Sequence, residues 1–507
     1  MSFSPRNESA FNDTKMRSGK VTPCSGMCSF CTAECVGTCE VGLAAILGKA
    51  AVYPTNTGNN QIAGEKDNPI DYSIFNINGR CFGARGAEED GDRATIFNVK
   101  LDRVIEGKNP VRLNVPLVLP AIIKLNWRDY FSAAAMAGTV CVIGEGSPSK
   151  DPGVEYRNGK IVRFEMLKEM LDAFNRYDRG YGQIVLQCNV EDNAQGLAEY
   201  AVTQCGAKAV EIKFGQSAKG TQPAVRLPSW EKAIAQKRNG LLVHPDPEDP
   251  AVAEAAKKGS CPVFWAYNRL PMWTEESLTR RVRELRELGA RNVYFKMAGY
   301  DRRDIERVLR IASSAEVDMV TFDGAGGGSG DSPNRMMNEW GLPAVCIENA
   351  VVGVCRQLES EEKYIPFVTI TGGFSGEDQV FKALAIGAPY VKAVGLCRAA
   401  MAAAMVGDQV GRSLEEGSVP KHLQKFGGTR EELFLELGEL RGLYGEAADR
   451  IPPGAVGAYS YLKKIAFGLQ HFAALNRKFD IGLLGPEDLI PLTEEARRLL
   501  RGTWFEP

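Results

Sequence analysis

The sequence predicts an α/β fold: a closed (β/α)8 barrel of the TIM type, preceded by a cysteine-rich segment and followed by a C-terminal helical extension. Three observations carry this. Short apolar runs alternate with helical stretches from Val115 to Val394. Nine such runs fall within about 300 residues, a spacing that suits a barrel better than a doubly wound open sheet. Glycine clusters follow several of the runs, where a parallel barrel presents the ends of its strands.

The composition sets outer bounds. With 507 residues, 44% hydrophobic and 24% charged, the chain is an ordinary globular protein. A net charge of -2 and a pI near 6.2 give no electrostatic reason to expect nucleic acid or an anionic membrane as partner. No apolar stretch is long enough to span a bilayer and no signal segment opens the chain, so a cytoplasmic location is expected.

In chain order, residues 1–110 form an N-terminal segment whose first twenty residues are polar and without periodicity. Five of the thirteen cysteines follow, Cys24, Cys28, Cys31, Cys35 and Cys39. On one unbroken helix they would share a stripe and could not surround a cluster. Pro23, Gly26 and Gly37 argue against such a helix. A disulfide framework fits poorly with a large cytoplasmic chain and an odd count, and zinc ligands usually come as two separated knuckles. An iron–sulfur cluster of the [4Fe-4S] type fits the dense run best. The first three cysteines also spell CSGMCSFC, which resembles the cluster motif of radical S-adenosylmethionine enzymes. The other eight cysteines lie mostly in apolar runs and read as small buried hydrophobes. Between Ile70 and Val104 alternating runs suggest a small β element.

Residues 111–428 are the predicted barrel. Its strand candidates are Val115–Leu119, Thr139–Ile143, Gln183–Cys188, Ala209–Phe214, Cys261–Ala266, Asn292–Met297, Val317–Phe322, Pro366–Ile370 and Tyr390–Val394. Thr274 should cap a helix with Glu275 and Glu276 in its first turn, a buried stripe of Leu278, Val282, Leu285 and Leu288, and Gly289 at its end. Ser375 should cap another, with Val380, Phe381 and Leu384 inward and Gly387 closing it. The loop TFDGAGGGSGDSP, Thr321 to Pro333, omits side chains so consistently that backbone can approach something flat or phosphorylated. Residues 429–507 form the extension, whose helix YSYLKKIAFGLQHFAALNRKF carries Leu462, Ile465, Leu469 and Phe472 on one face and packs against the barrel or a partner.

Five motifs in order give the chain, from about Pro120 onward, a resemblance to the FMN-binding synthase domain of the glutamate synthase family. They are IGEGS (Ile143–Ser147), EIKFGQSAKG (Glu211–Gly220), YFKM (Tyr294–Met297), DGAGGGSGDSP (Asp323–Pro333) with GLP (Gly341–Pro343), and TGGFSGEDQVFKALAIGA (Thr371–Ala388). The resemblance implies FMN at the C-terminal ends of the strands and reduction of 2-iminoglutarate. It implies that Gly372, Gly373 and Gly395 hold the FMN phosphate and that Lys296 lies beside the ring system. Asp323, Gly326, Gly327, Gly328 and Gly330 would pass close to the cofactor. Lys213, Gln216, Lys219 and Glu145 would serve substrate and chemistry: lysines and an amide can clamp a dicarboxylate, and a lysine can stabilise reduced flavin.

The chain also departs from that family. It has no glutaminase domain, so ammonia would come from solution or a partner subunit, or another nitrogen donor would serve. No cysteine follows Cys397, so the N-terminal block would replace the family's cluster as the electron entry point. The loop TQPAVRLPSW after Gly220 lacks the family's glycine pairs, which opens the substrate to a 2-oxo acid other than 2-oxoglutarate. Three functional expectations result. The first is an FMN and iron–sulfur oxidoreductase acting on an imine, fed by a ferredoxin-like donor or partner subunit, alone, as a homo-oligomer or within a complex. The second is a radical S-adenosylmethionine enzyme. The third is a non-catalytic electron-transfer subunit.

Overall fold

In the computed structural model, residues 70–123, 126–214, 224–261, 263–325 and 340–502 are described, with Ala45, Ile46, Gly48, Trp504 and Phe505 besides. Eight parallel strands close into a barrel: β1 (Leu117–Ile122), β2 (Val140–Ile143), β3 (Gln183–Cys188), β4 (Ala209–Lys213), β5 (Asn292–Ala298), β6 (Met319–Asp323), β7 (Phe367–Thr371) and β8 (Val391–Gly395). The ring closes where Gly395 of β8 registers with Val118 of β1. Seven helices connect successive strands on the outside or lead between them: α1 (Trp127–Ala137), α2 (Glu165–Asn175), α3 (Leu197–Cys205), α4 (Glu275–Glu287), α5 (Arg302–Ser314), α6 (Ala344–Ser360) and α7 (Glu377–Ile386). An eighth, α8 (Arg398–Glu415), follows the last strand. The expected barrel is therefore observed. Each strand is buried on both faces, as a parallel sheet wrapped by helices requires.

One of the nine strand candidates lies elsewhere. The run near Cys261 forms Phe264–Tyr267, the central strand of an antiparallel sheet with Ala224–Leu227 and Leu242–His244. This sheet and two helices, Trp230–Arg238 and Pro250–Lys257, form an excursion between β4 and α4 with its own small core around Leu227, Ala233 and Phe264. Apolar content alone cannot tell a barrel strand from such a strand.

Alternate residues of every barrel strand point inward. At the N-terminal end these are apolar: Val118, Val140, Val142, Val185, Tyr294 and Phe367. A hairpin of Arg103–Ile105 and Val111–Leu113 lies beneath them, and Ile105, Val111 and Leu113 complete the same cluster. The floor of the barrel is thereby plugged. The β element expected between Ile70 and Val104 is not self-contained, because Phe75–Ile77 pairs antiparallel with Leu489–Pro491 from the far end of the chain.

The helix expectations need local correction. Thr274 caps α4 in a reciprocal box with Ser277, and Leu278, Val282 and Leu285 are buried as expected. Leu288 is 37% exposed, since it lies past the last full turn. Helix α7 starts one residue later than predicted: Gly376 occupies the cap, and the Gln379 side chain accepts from the backbone N–H groups of Ser375 and Gly376. Of the scattered cysteines, Cys141, Cys188, Cys346 and Cys355 are buried, whereas Cys81 is exposed and Cys205, Cys261 and Cys397 are intermediate.

The tail helix, α9 (Pro453–Leu475), packs against α8, α1 and α7, with Leu462, Ile465 and Leu469 buried. The apolar face that a partner could have covered belongs to the barrel wall. Small residues allow the close approach: a Cβ on Gly407 of α8 would stand 2.5 Å from the Pro453 carbonyl oxygen and 3.0 Å from the Gly457 Cα. Substituting Gly457→Val should therefore force α8 and α9 apart and cost about 1–3 kcal/mol. Urea denaturation of the variant should show a lower midpoint; an unchanged midpoint would mean that the helices can separate freely.

Candidate active site

Toward the C-terminal end the inward-facing residues change character. Gln187, Glu211, Lys296, Thr321 and Thr369 form a polar layer above the apolar one, and Lys213, Asp323, Thr371 and Gly395 lie at the strand ends. The β4–β5 register sets Lys213 directly beside Lys296. Each lysine is all but inaccessible, so each needs an acid.

Lys213 donates to Glu145 Oε1 at 2.5 Å. Lys296 Nζ stands 3.7 Å from Asp323 Oδ2, with both side chains 4% exposed. Burial alone would lower the Lys296 pKa, but Asp323 and then Glu211 outweigh it, and the ammonium stays protonated above its ordinary range. Glu211 is pushed upward by burial, against the pull of Lys296, of the Gln187 amide and of Lys213. Gln187 Nε2 donates to Glu211 Oε1 at 2.5 Å. Lys213, Lys296, Glu145 and Asp323 are thus brought together at one end of the barrel.

Glu145 follows β2 on a loop held by Asp192. The Gly146 N–H donates to Asp192 Oδ2 at 3.0 Å, and the Asn189 N–H to the same oxygen at 3.1 Å. Gly146 has φ 68°, a left-handed value that suits glycine. Burial raises the Asp192 pKa to about 7, opposed by these two N–H groups and by Lys213 and reinforced by Glu145.

Gly372 and Gly373 follow β7 with φ 113° and 89°, so the backbone turns there in a conformation that side-chain-bearing residues avoid. A Cβ on Gly395 would meet Thr371 at 2.6 Å and Pro120 at 2.8 Å. Helix α8 begins just beyond with no side-chain cap and no acid in its first turn, where Arg398 stands instead. A cation at that end opposes the helix dipole, an arrangement suited to an anion between them. Sequence reasoning passed over Arg398, although a cation opening a helix is a readable signal.

It also passed over Gln187, Thr321 and Asp192. The signal for Gln187 is the alternation Gln183, Val185, Gln187 in a strand that is otherwise apolar. Three buried polar atoms here have no hydrogen-bond partner among the described residues: Gln187 Oε1, Thr321 Oγ1 and Ser147 Oγ. Buried orphans of this kind call for a ligand or ordered water. Gln216, Lys219, Gly326, Gly327, Gly328 and Gly330 lie outside the described residues, as do Cys24, Cys28, Cys31, Cys35 and Cys39. Among the described residues no three His, Cys, Asp or Glu side chains group as a metal site. None of the described helices is long and apolar enough to cross a membrane.

Fold and site together define a (β/α)8-barrel protein with a buried charged cluster at the C-terminal ends of its strands. Residues 268–407 match the family model described as the conserved region in glutamate synthase, and the resemblance read from the motifs holds over that stretch. The match takes in β5 to β8 and with them Lys296, Asp323 and the glycines after β7 and β8. No curated protein matches the chain. Among solved structures, a variant of flavocytochrome b2 with sulfite bound is 13% identical, covering 86% of this chain and 78% of that one at a TM-score of 0.45. A soluble mutant of the membrane-associated (S)-mandelate dehydrogenase from Pseudomonas putida is 15% identical, covering 83% of this chain and 88% of that one at a TM-score of 0.43.

The Asp192 carboxyl has a measurable signature. Its folded pKa lies above the unfolded one, so between about pH 4 and 7 the folded chain binds a proton that the unfolded chain releases, and stability falls as pH rises through that window. An Asp192→Asn variant would keep one side-chain oxygen for both N–H groups without the charge. Chemical denaturation should show the variant gaining on the wild type from pH 5 to pH 8; a difference independent of pH would mean that Asp192 is ionised throughout.

Proposed function

We propose that this chain is an FMN- and iron–sulfur-dependent oxidoreductase of the glutamate synthase type. Its electrons would come from a ferredoxin-like donor or partner subunit, pass through a cluster on Cys24 to Cys39, and reduce an imine formed from a 2-oxo acid and ammonia. The observation that carries this reading is a pair of buried lysines, together with three buried polar atoms that lack a partner among the described residues, in a barrel whose β5–β8 half matches the glutamate synthase conserved region.

The residues present fit FMN. Gln187 Oε1 and Thr321 Oγ1 are unsatisfied groups of the kind that a flavin ring's polar edge would use, and the Gly372, Gly373, Gly395 and Arg398 end suits its phosphate. Asp323 and the glycines from Gly326 to Gly330 would flank it. When bound, FMN supplies a carrier that accepts electrons singly or in pairs and releases them as hydride.

The chain's own groups divide the remaining work. Lys296 keeps its proton and so sets a fixed positive charge where negative charge develops on reduction. Lys213, held by Glu145, can share its ammonium with a substrate carboxylate, and Gln216 and Lys219 of the same motif would complete that grip. Glu145 is 16% exposed at its side chain, enough for it to meet a substrate while remaining tied to Lys213. The plugged floor excludes water from below, which strengthens each of these interactions.

Anaerobic isolation should give a protein with a flavin spectrum, bound iron and sulfide, and turnover of a 2-oxo acid and ammonia with reduced ferredoxin. Colourless protein, or 5′-deoxyadenosine released from S-adenosylmethionine, would replace this reading; flavin and cluster without turnover would leave an electron-transfer subunit. Within it, Lys213→Met should raise KM for the oxo acid about tenfold or more with flavin content unchanged. Lys296→Met should lower kcat about a hundredfold. Equal effects of both changes on KM alone would reverse the roles assigned to them.

A further inference from the structure

At the opposite, N-terminal face of the barrel a half-open cavity of about 460 Å³ lies under β3 to β5. We propose that it is a binding site for a small organic dianion, separate from the C-terminal pocket and independent of the function proposed for that pocket.

Three cations from three elements line it. Arg112 comes from the floor hairpin, Lys208 from the turn before β4 and Arg291 from the turn before β5. Among the described residues their side chains make no hydrogen bond or ion pair. The lining carboxylate is Asp178, and the Gly180 N–H already occupies one of its oxygens at 2.8 Å. Helices α2 and α3 end beside the cavity, and each brings about half a negative charge at its last carbonyl groups. Counted against three cations, one carboxylate and two helix ends leave an excess of about one positive charge, before any preference for a second anionic group bridging two of the cations. A site that merely neutralised its helix ends would need fewer cations.

The other walls set the ligand's chemistry. Leu171, Phe174 and Ile184 supply an apolar side. The Asn109 and Asn292 amides opposite are tied to backbone, Asn109 Nδ2 to the Arg291 carbonyl at 3.0 Å and Asn292 Nδ2 to the Asn109 carbonyl at 2.9 Å, which fixes the turn that presents Arg291. Gly180 and Gly206 stand at the rim, and a Cβ on either would meet nothing within 4 Å. The mouth therefore stays open to a molecule of a few carbon atoms bearing two carboxylates, or a carboxylate and a phosphate, with its carbon chain against Phe174.

The test uses the full-length protein as isolated with its own cofactors. Succinate and inorganic phosphate are titrated separately by calorimetry, and hydrogen exchange locates any protection. Saturable succinate binding is expected, with slowed exchange at residues 178–183 and 206–208. Lys208→Glu and Arg291→Glu, both exposed, should each weaken it about tenfold or more. Lys213→Met should leave protection at those turns unchanged, which separates this site from the C-terminal pocket. Tight phosphate binding with the same protection would assign the anion recognition to a phosphoryl group. No saturation by either anion at about 20 mM, protection confined to residues 144–147, or binding indifferent to both charge reversals would overturn the proposal.

Discussion

Two ammonium groups inside a closed ring of strands are the constraint on which the rest of the architecture depends. A buried lysine without a counter-charge would shed its proton or unfold its surroundings. Lys296 keeps its proton because Asp323 and Glu211 face it, and Lys213 is paired with Glu145 from the loop after β2. That requires a fixed register between β4, β5 and β6, since a slip of one residue would turn Lys213, Glu211, Lys296 or Asp323 outward with its strand. The apolar floor, the hairpin plug and the outer helices maintain that register.

Charge then propagates outward through polar contacts. Glu145 keeps its place because Asp192 holds the following glycine, and Asp192 is itself fixed by a reciprocal capping box with Asn189, which caps the helical turn after β3. A similar burial without a cation among its causes occurs at Glu348 in α6. Burial pushes the Glu348 carboxyl well above its ordinary range, opposed only by the neighbouring Tyr72 hydroxyl. Around Lys213 and Lys296 the carboxylates have cations to face, so the contrast lies in the partners and not in depth alone.

Much of this is legible in the amino-acid order. Strand period, glycine placement and five ordered motifs point to the barrel, and the two lysines stand out because one lies within an apolar run and the other closes one. What stays hidden depends on facing direction. Gln187 and Thr321 look like ordinary strand residues until the inward phase of their strands is fixed. Phe264–Tyr267 reads as a barrel strand because its partners, Ala224–Leu227 and Leu242–His244, are local and antiparallel, which composition does not encode. The burial of α9 depends on glycine-to-glycine contacts with α8 that no single-helix pattern reveals.

The pairing of Phe75–Ile77 with Leu489–Pro491 has a consequence for biosynthesis. A ribosome delivers the first of these strands more than four hundred residues before the second. The cylinder between them can therefore close while the early strand still lacks its mate. Pairing of that flank must wait for Leu489 to emerge, and a nascent chain that stalls before it leaves the leading strand without its mate.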